Sequence, residues 1–335
     1  MRAASIKDVA NHAGVAVGTV SNVLNYPDRV AEKTLKRVMS SISELGFVRN
    51  DVARQLRAGH SRTIGMIVLD IGNPFFSSVS RAAEDAASEG GNAVVLGNSG
   101  HDAQRESHYI DLFEEQRVQG VLISPVGDNS QRLAELAARG SKVVLMDSPS
   151  TDGKFSSVSV DDVAGGYMAT KHLLEMGRRN LAFVAGPQHF HQITDRLAGA
   201  NRAVAEVADA TLEVLQADDL TVLAGRSVGD SLIERQRDEL PDGLFCANDL
   251  LALGVMQSLT MLRTLRIPED VALVGYDDID FAASAVVSLT SVRQPTGLIG
   301  RTAIELLSEQ IEDPEAKPRA VVFKPELVVR NSTIG

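Results

Sequence analysis

The sequence predicts an α/β protein: a small helical head containing a helix-turn-helix, followed by a two-lobed body of doubly wound parallel sheets. Three observations point there. At 335 residues the chain exceeds what one ordinary core organises. Residues 5–46 place apolar side chains at helical spacing between short glycine-marked turns. After Ser61, short apolar runs alternate with amphipathic segments, the pattern of buried parallel strands joined by crossover helices.

In the head, Ser5 followed by Asp8 resembles a capping box and opens a first helix that stops near Gly14. A second helix is predicted over Val17–Asn25, and Leu35, Val38, Ile42 and Leu45 recur on one face of a third that Gly46 ends. Ala10, Val15, Val20 and Val23 or Leu24 are the expected packing set, leaving Val17, Gly18, Ser21 and Asn22 facing outward. A helix, a tight turn and a second helix set across the first can seat the start of that second helix in a DNA major groove. There Asn22 suits an adenine edge, Val17 a thymine methyl, and Thr19 or Ser21 a phosphate; an inert three-helix bundle is the alternative reading of the same spacing. Residues 47–61 are basic and hydrophilic around Leu56, and suit a hinge that is helical only under constraint. Leu56 itself reads either as a cover for the body or as a minor-groove wedge.

In the body, Ile64–Leu69, Ala93–Leu96, Val121–Ile123, Val143–Met146, Leu181–Val184, Leu244–Cys246 and Val271–Val274 are the predicted strands. Phe76–Glu89, Ala164–Met176 and Leu250–Leu262 are predicted crossover helices. This much α/β pattern implies two lobes with a ligand cleft between them.

Charge separates the two parts. The chain carries −11 overall, yet residues 1–60 hold nine Lys and Arg against five Asp and Glu, a net of +4, leaving −15 on the remainder. A cationic head on an anionic body directs contact with DNA to the head. One cysteine, Cys246, excludes an intrachain disulfide framework and is expected to pack as a small apolar residue. No apolar run approaches a membrane span and the N-terminus has no signal-peptide pattern, so a cytoplasmic protein without a membrane partner is expected. Nucleotide-binding, phosphate-loop and nucleophile-elbow motifs are missing, which argues against an enzyme, and no cofactor is expected. His189 and His191 lack a third ligand nearby and read as a solvated loop rather than a metal site.

Several motifs in order carry a resemblance. Ile6-Lys-Asp-Val-Ala, Ala13-Gly-Val, Thr19-Val-Ser, Val23-Leu-Asn, Leu45-Gly-Phe and Asn50-Asp-Val-Ala-Arg-Gln-Leu56 resemble the head and hinge of the lactose-repressor (LacI/GalR) family. So do Asn73-Pro-Phe-Phe76, Arg117-Val-Gln-Gly-Val121, Cys246-Ala-Asn-Asp249, Val274-Gly-Tyr-Asp-Asp278 and Val329-Arg-Asn-Ser-Thr333 in the body. The resemblance implies a homodimeric transcription repressor that binds a pseudo-palindromic operator through Val17, Gly18, Thr19, Ser21, Asn22 and Asn25, with Ala53 and the wedge Leu56 on the hinge. The chain departs from many members at Ala16 and Asn22, which bears on the half-site it prefers.

The resemblance further implies a body like the sugar-binding periplasmic proteins, with Asn73, Phe75, Phe76, Asp147, Arg196, Asn248, Asp277 and Gln294 around a small-molecule effector. These types suit a polyol, with aromatic faces against ring C–H groups and polar side chains on hydroxyls. A pentose such as ribose is the leading expectation, and a purine or a co-regulator the alternative. The expected division is residues 1–48 for the head, 49–61 for the hinge and 62–335 for the body. Within the body, one lobe is expected over 62–159 plus 291–320 and the other over 160–290 plus 321–335.

Overall fold

The computed structural model describes residues 4–47, 61–127, 130–261 and 265–334. The chain divides into two compact units, Met1–Ser61 and Arg62–Gly335.

The first unit contains α1 (Ile6–Ala13), α2 (Val17–Asn25) and α3 (Glu32–Glu44), with a short 3-10 turn at Pro27–Arg29 between the last two. The capping box forms: Ser5 N donates to Asp8 Oδ2 at 2.8 Å and Asp8 N to Ser5 Oγ at 3.3 Å. Asp is short for this role, but here it reaches. Gly14 ends α1 at φ 60°, a left-handed conformation that costs a side-chain-bearing residue energy, so the sharp turn into α2 falls there. Val9, Ala10, Ala13, Val20, Val23 and Val38 form the core, with Val15 and Leu24 half-buried against it.

The second unit holds two six-stranded sheets. The first uses β1 (Thr63–Val68), β2 (Ala93–Asn98), β3 (Gly120–Ile123), β4 (Lys142–Met146), β5 (Ser156–Val160) and β11 (Ala320–Phe323), in the order β11-β5-β4-β3-β1-β2 and wholly parallel. The second uses β6 (Asn180–Ala185), β7 (Thr211–Gln216), β8 (Gly243–Cys246), β9 (Ala272–Asp277), β10 (Thr290–Arg293) and β12 (Glu326–Val328), in the order β12-β10-β9-β8-β6-β7. Only β12 runs antiparallel, against β10. The connecting helices are α4 (Pro74–Glu89), α5 (Ala103–Glu115), α6 (Ser130–Ala138), α7 (Asp162–Glu175), α8 (His191–Val204), α9 (Val222–Ile233), α10 (Asp249–Met261), α11 (Asp280–Ser284), α12 (Thr296–Glu312) and α13 (Asn331–Ile334).

Every predicted strand and crossover helix is present, within three residues at the ends, the largest difference being β9, which runs on to Asp277. The lobe boundaries differ from expectation. Residues 291–293 belong to β10 and pair with β9 in the second lobe, and residues 321–323 belong to β11 and pair with β5 in the first. Each crossing comes a few residues later because Pro295 and Pro325, which cannot donate to a ladder, end those strands.

The chain therefore crosses between the sheets three times, after β5, β10 and β11. Three helix pairs pack at near backbone contact through glycine: a Cβ at Gly166 would lie 2.0 Å from the carbonyl oxygen of Arg196, one at Gly254 2.0 Å from that of Val222, and one at Gly300 2.4 Å from that of Val79. The first approach fixes α8 on α7, and α8 carries three side chains of the cleft described next, Gln192, Ile193 and Arg196.

Candidate functional site

The carboxyl ends of β1, β4, β6 and β9 converge on a cleft of about 490 Å³, counting its open mouth. Ligands of open α/β sheets collect at these ends because the strands stop there and the loops diverge. Phe75 and Phe76 enter from the start of α4, their rings 5.0 Å apart and edge to face. Asp147 directly follows β4 and Asp277 ends β9, at φ 50° and 104°. Left-handed aspartates at strand ends are strained positions that the surrounding fold must hold. Asp278 next to it, also at positive φ, is held by Arg293 at 2.7 Å and Arg330 at 2.7 Å.

Two hydrogen-bonded clasps join the lobes across the cleft. Asn73 caps α4 by accepting from Phe75 N, which turns its Nδ2 toward Asp277 Oδ2, 3.2 Å away. Gln294, in the second crossover, donates Nε2 to Asp277 Oδ1 at 2.8 Å, so both oxygens of that carboxylate are occupied. On the other side Gln192 Nε2 donates to the backbone oxygen and to Oδ2 of Asp147, both at 2.8 Å.

Arg196 lies at the floor. Its Nε meets Asp162 Oδ1 at 2.7 Å, its Nη1 donates to the carbonyl of Ala247 at 2.6 Å, and its guanidinium lies 3.6 Å from the centre of the Tyr276 ring. Burial is the largest single influence and disfavours its charge, but Asp162, Tyr276, Asp277 and Asp147 together outweigh it and raise the guanidinium pKa. Asn248 holds the carbonyl of Leu220 at 3.1 Å and accepts from Leu251 N at the start of α10. Burial pushes the Asp147 carboxyl up to about 8, with Asp162 adding to it, and burial pushes Asp277 up to about 6.

All eight expected effector residues line this one cleft. Asp70, His101, Phe190, Gln192, Ile193 and Leu220 line it as well and were not anticipated. Phe190 and Gln192 were detectable by their place in the loop after β6 and the first turn of α8, at the end of a strand. His101 stacks edge-on with Phe190 at 4.8 Å and is kept neutral-leaning by burial, its pKa lowered. His189 lies exposed in that loop, its ring 4.0 Å from Phe190, and His191 opens α8.

In the head, Val17, Gly18, Asn22 and Asn25 are exposed, and Thr19 and Ser21 half-buried, on the face of α2 away from the core. Asn25 is turned back, its Nδ2 donating to the carbonyl of Ser21 at 2.9 Å. Ala16 caps α2 without a side-chain bond. Ala53 and Leu56 lie outside the described residues.

Comparison with known proteins decides the family. Residues 5–50 match the model of bacterial regulatory proteins of the lacI family, and residues 170–333 that of a periplasmic binding protein-like domain. The HTH-type transcriptional repressor PurR of Aliivibrio fischeri (strain MJ11) is 34% identical over 99% of this chain and 99% of its own. The chain belongs to the LacI family. It is a DNA-binding transcriptional repressor of that family. Among solved LacI-type structures, the lac repressor dimer bound to operator and the anti-inducer ONPF covers 100% of both chains at 26% identity and a TM-score of 0.85. The complex of the transcriptional regulator CelR with cellobiose covers 98% of this chain and 99% of its own at 32% identity, with a TM-score of 0.72. Among the described residues, no helix is long and apolar enough to cross a membrane.

Proposed function

We propose that this repressor works as a homodimer on a pseudo-palindromic operator and that a small carbohydrate in the body's cleft sets its affinity for DNA. The observation that carries the reading is the cleft itself: Phe75, Phe76 and Phe190 on its walls, with Asp147, Arg196, Asn248, Asp277 and Gln294 at strand ends and crossovers. Flat apolar walls with polar groups between them suit a sugar ring, whose C–H faces and hydroxyls alternate. A monosaccharide of pentose size, such as ribose, is the leading candidate.

The DNA-facing residues assigned are Val17, Gly18, Thr19, Ser21, Asn22 and Asn25 on α2, with Ala53 and Leu56 in a hinge over 49–61. An inverted-repeat operator follows from two-fold pairing of two heads. Supporting a dimer, Val95 and Leu96 lie exposed on β2, an edge strand of the first sheet, and Val214 lies exposed on β7, the matching edge of the second. Leu223 at 75% and Val286 at 88% exposure, with Met261 and Phe281, add more uncovered apolar surface. A monomer gains nothing by exposing so much.

Effector and DNA are coupled by the clasps. A ligand competing for Asp147 or Asp277 changes how the lobes are held, hence the spacing of the two hinges in the dimer, and a marginal hinge helix responds to a small change. The test is a thermal-shift screen of the full chain against pentoses, hexoses, disaccharides and purines, followed by operator titration with any hit. A sugar that raises the melting temperature and alters operator affinity supports the reading; a response to purines alone overturns it.

A further inference from the structure

The motif Val329-Arg-Asn-Ser-Thr333 contributes nothing to the described lining of the cleft, yet it is bound tightly beside the strand end that carries Asp277. Ser332 and Thr333 are buried. Ser332 Oγ donates to the carbonyl of Leu273 in β9 and accepts from Thr290 N in β10 at 2.8 Å. Thr290 Oγ1 accepts from Arg330 N at 2.8 Å and donates to the Arg330 carbonyl at 2.9 Å, so the backbone of Arg330 is fixed from both sides. Its Nη1 donates to the carbonyl of Leu289 at 2.7 Å.

From that position the guanidinium forms an ion pair with Asp278, Nη1 lying 2.7 Å from Oδ1, with side chains 17% and 5% exposed. Arg293 holds the other carboxylate oxygen at 2.7 Å, but it is 47% exposed and shared with Glu326. Arg330 is therefore the better-shielded half of the clamp, and the half that solvent weakens least.

The grip on Asp278 bears on the residue before it. Asp277 and Asp278 are consecutive at φ 104° and 53°, conformations that persist in side-chain-bearing residues only where the surroundings over-determine them. Asp278 N donates to Ser291 Oγ at 3.0 Å and Ile279 N to Asp249 Oδ2 at 2.8 Å, while Ser291 Oγ donates to Asp249 Oδ1 at 2.6 Å. With 278 and 279 pinned, the Asp277 carboxylate is left facing Asn73 and Gln294.

We propose that Arg330 is a positioning residue for the cleft: its ion pair with Asp278 holds the two strained aspartates so that Asp277 meets Asn73 of the first lobe. Clasping of the lobes then depends on a side chain outside the cleft. The effector reading above supplies only the consequence, that the response to a ligand follows Arg330; the test uses no ligand, so the two fail separately.

Asn73→Ser keeps a helix cap, since serine caps as asparagine does, but its side chain is too short to reach Asp277. The test is the effect of Asn73→Ser on the urea unfolding constant of the full chain at fixed protein concentration, alone and combined with Asp278→Asn or Arg330→Gln. Asparagine tolerates positive φ, so Asp278→Asn removes the charge without adding backbone strain. In either variant the clasp is already slack, and Asn73→Ser should change the unfolding constant at least about twofold less than it does in the parent, twofold being the lower scale of coupling between linked sites. An undiminished effect beside Asp278→Asn shows that the ion pair only anchors its own segment, and overturns the proposal. An undiminished effect in folded Arg330→Gln protein overturns the assignment to Arg330. Asp278→Asn leaves the bonds of Arg330 to Leu289 and Thr290 in place, so it decides the question even if Arg330→Gln does not fold.

Discussion

Replacing Arg196 by Met tests the electrostatic frame of the cleft. The Arg196–Asp162 pair is 2.7 Å long with side chains 6% and 5% exposed, so neither charge has water to fall back on. Met fills much of the space of the arginine stem but orphans Asp162 and removes the cation from the face of Tyr276. Breaking a buried pair from one side costs about 3–5 kcal/mol. At roughly 2–4 °C per kcal/mol for large domains, the melting temperature should fall by roughly 6–20 °C. Asp162→Asn combined with Arg196→Met removes both charges and should recover at least about 1 kcal/mol over the Arg196→Met single variant, because no uncompensated ion remains. The assay is urea unfolding followed by far-ultraviolet circular dichroism, since the chain has no tryptophan. A double variant whose loss equals the sum of the singles would show that the two groups do not depend on each other, and would refute the argument.

Asp147→Asn should change how stability depends on pH. The folded carboxyl titrates near 8, far above its ordinary 3.8, so the folded state holds a proton that the unfolded state has released. Its contribution is present below about pH 4 and is lost as pH rises toward about 8. Melting scans should show a shallower decline across that window in the variant; identical slopes would contradict the assignment. The other groups facing Asp147 are Asp162, Asp277, Arg196 and His191, and all four are present in both proteins. Gly166→Ala should cost about 1–3 kcal/mol, as its Cβ collides with the Arg196 backbone, whereas Gly297→Ala, with open space around it, should be neutral or stabilising; calorimetry of both variants checks this. Asn22→Ala should weaken specific operator binding by about 1–3 kcal/mol while leaving non-specific DNA binding nearly unchanged, measured by fluorescence anisotropy. Leu56→Ala should likewise weaken specific binding far more than non-specific, and equal losses would remove the wedge role.

How far the sequence reads depends on which physical signal each element leaves. The head was legible because its caps are local: Ser5, Asp8 and Gly14 act within a few residues of where they stand. Central parallel strands were legible as apolar runs, since both faces are covered. β5 was not, because Ser156, Ser157 and Ser159 are buried, and Ser156 is satisfied from afar by Gln310 and by Arg319 N. β7 escaped because it is a half-exposed edge with Glu213 in it. In the cleft, Asp147 and Asp277 announced themselves by following apolar strands. Gln192 did not, because its function depends on a partner 45 residues away across the cleft. Phe190 was passed over between two histidines that drew attention as possible ligands.

The central claim is that the head reads a two-fold operator on behalf of the body, and selection of DNA sites from a random duplex library by the full chain, at physiological salt, tests it most directly. The account predicts an enriched inverted repeat, with an Asn22→Ala variant losing preference at a symmetric pair of positions. Enrichment of no motif, or of a single asymmetric site indifferent to Asn22, would contradict it.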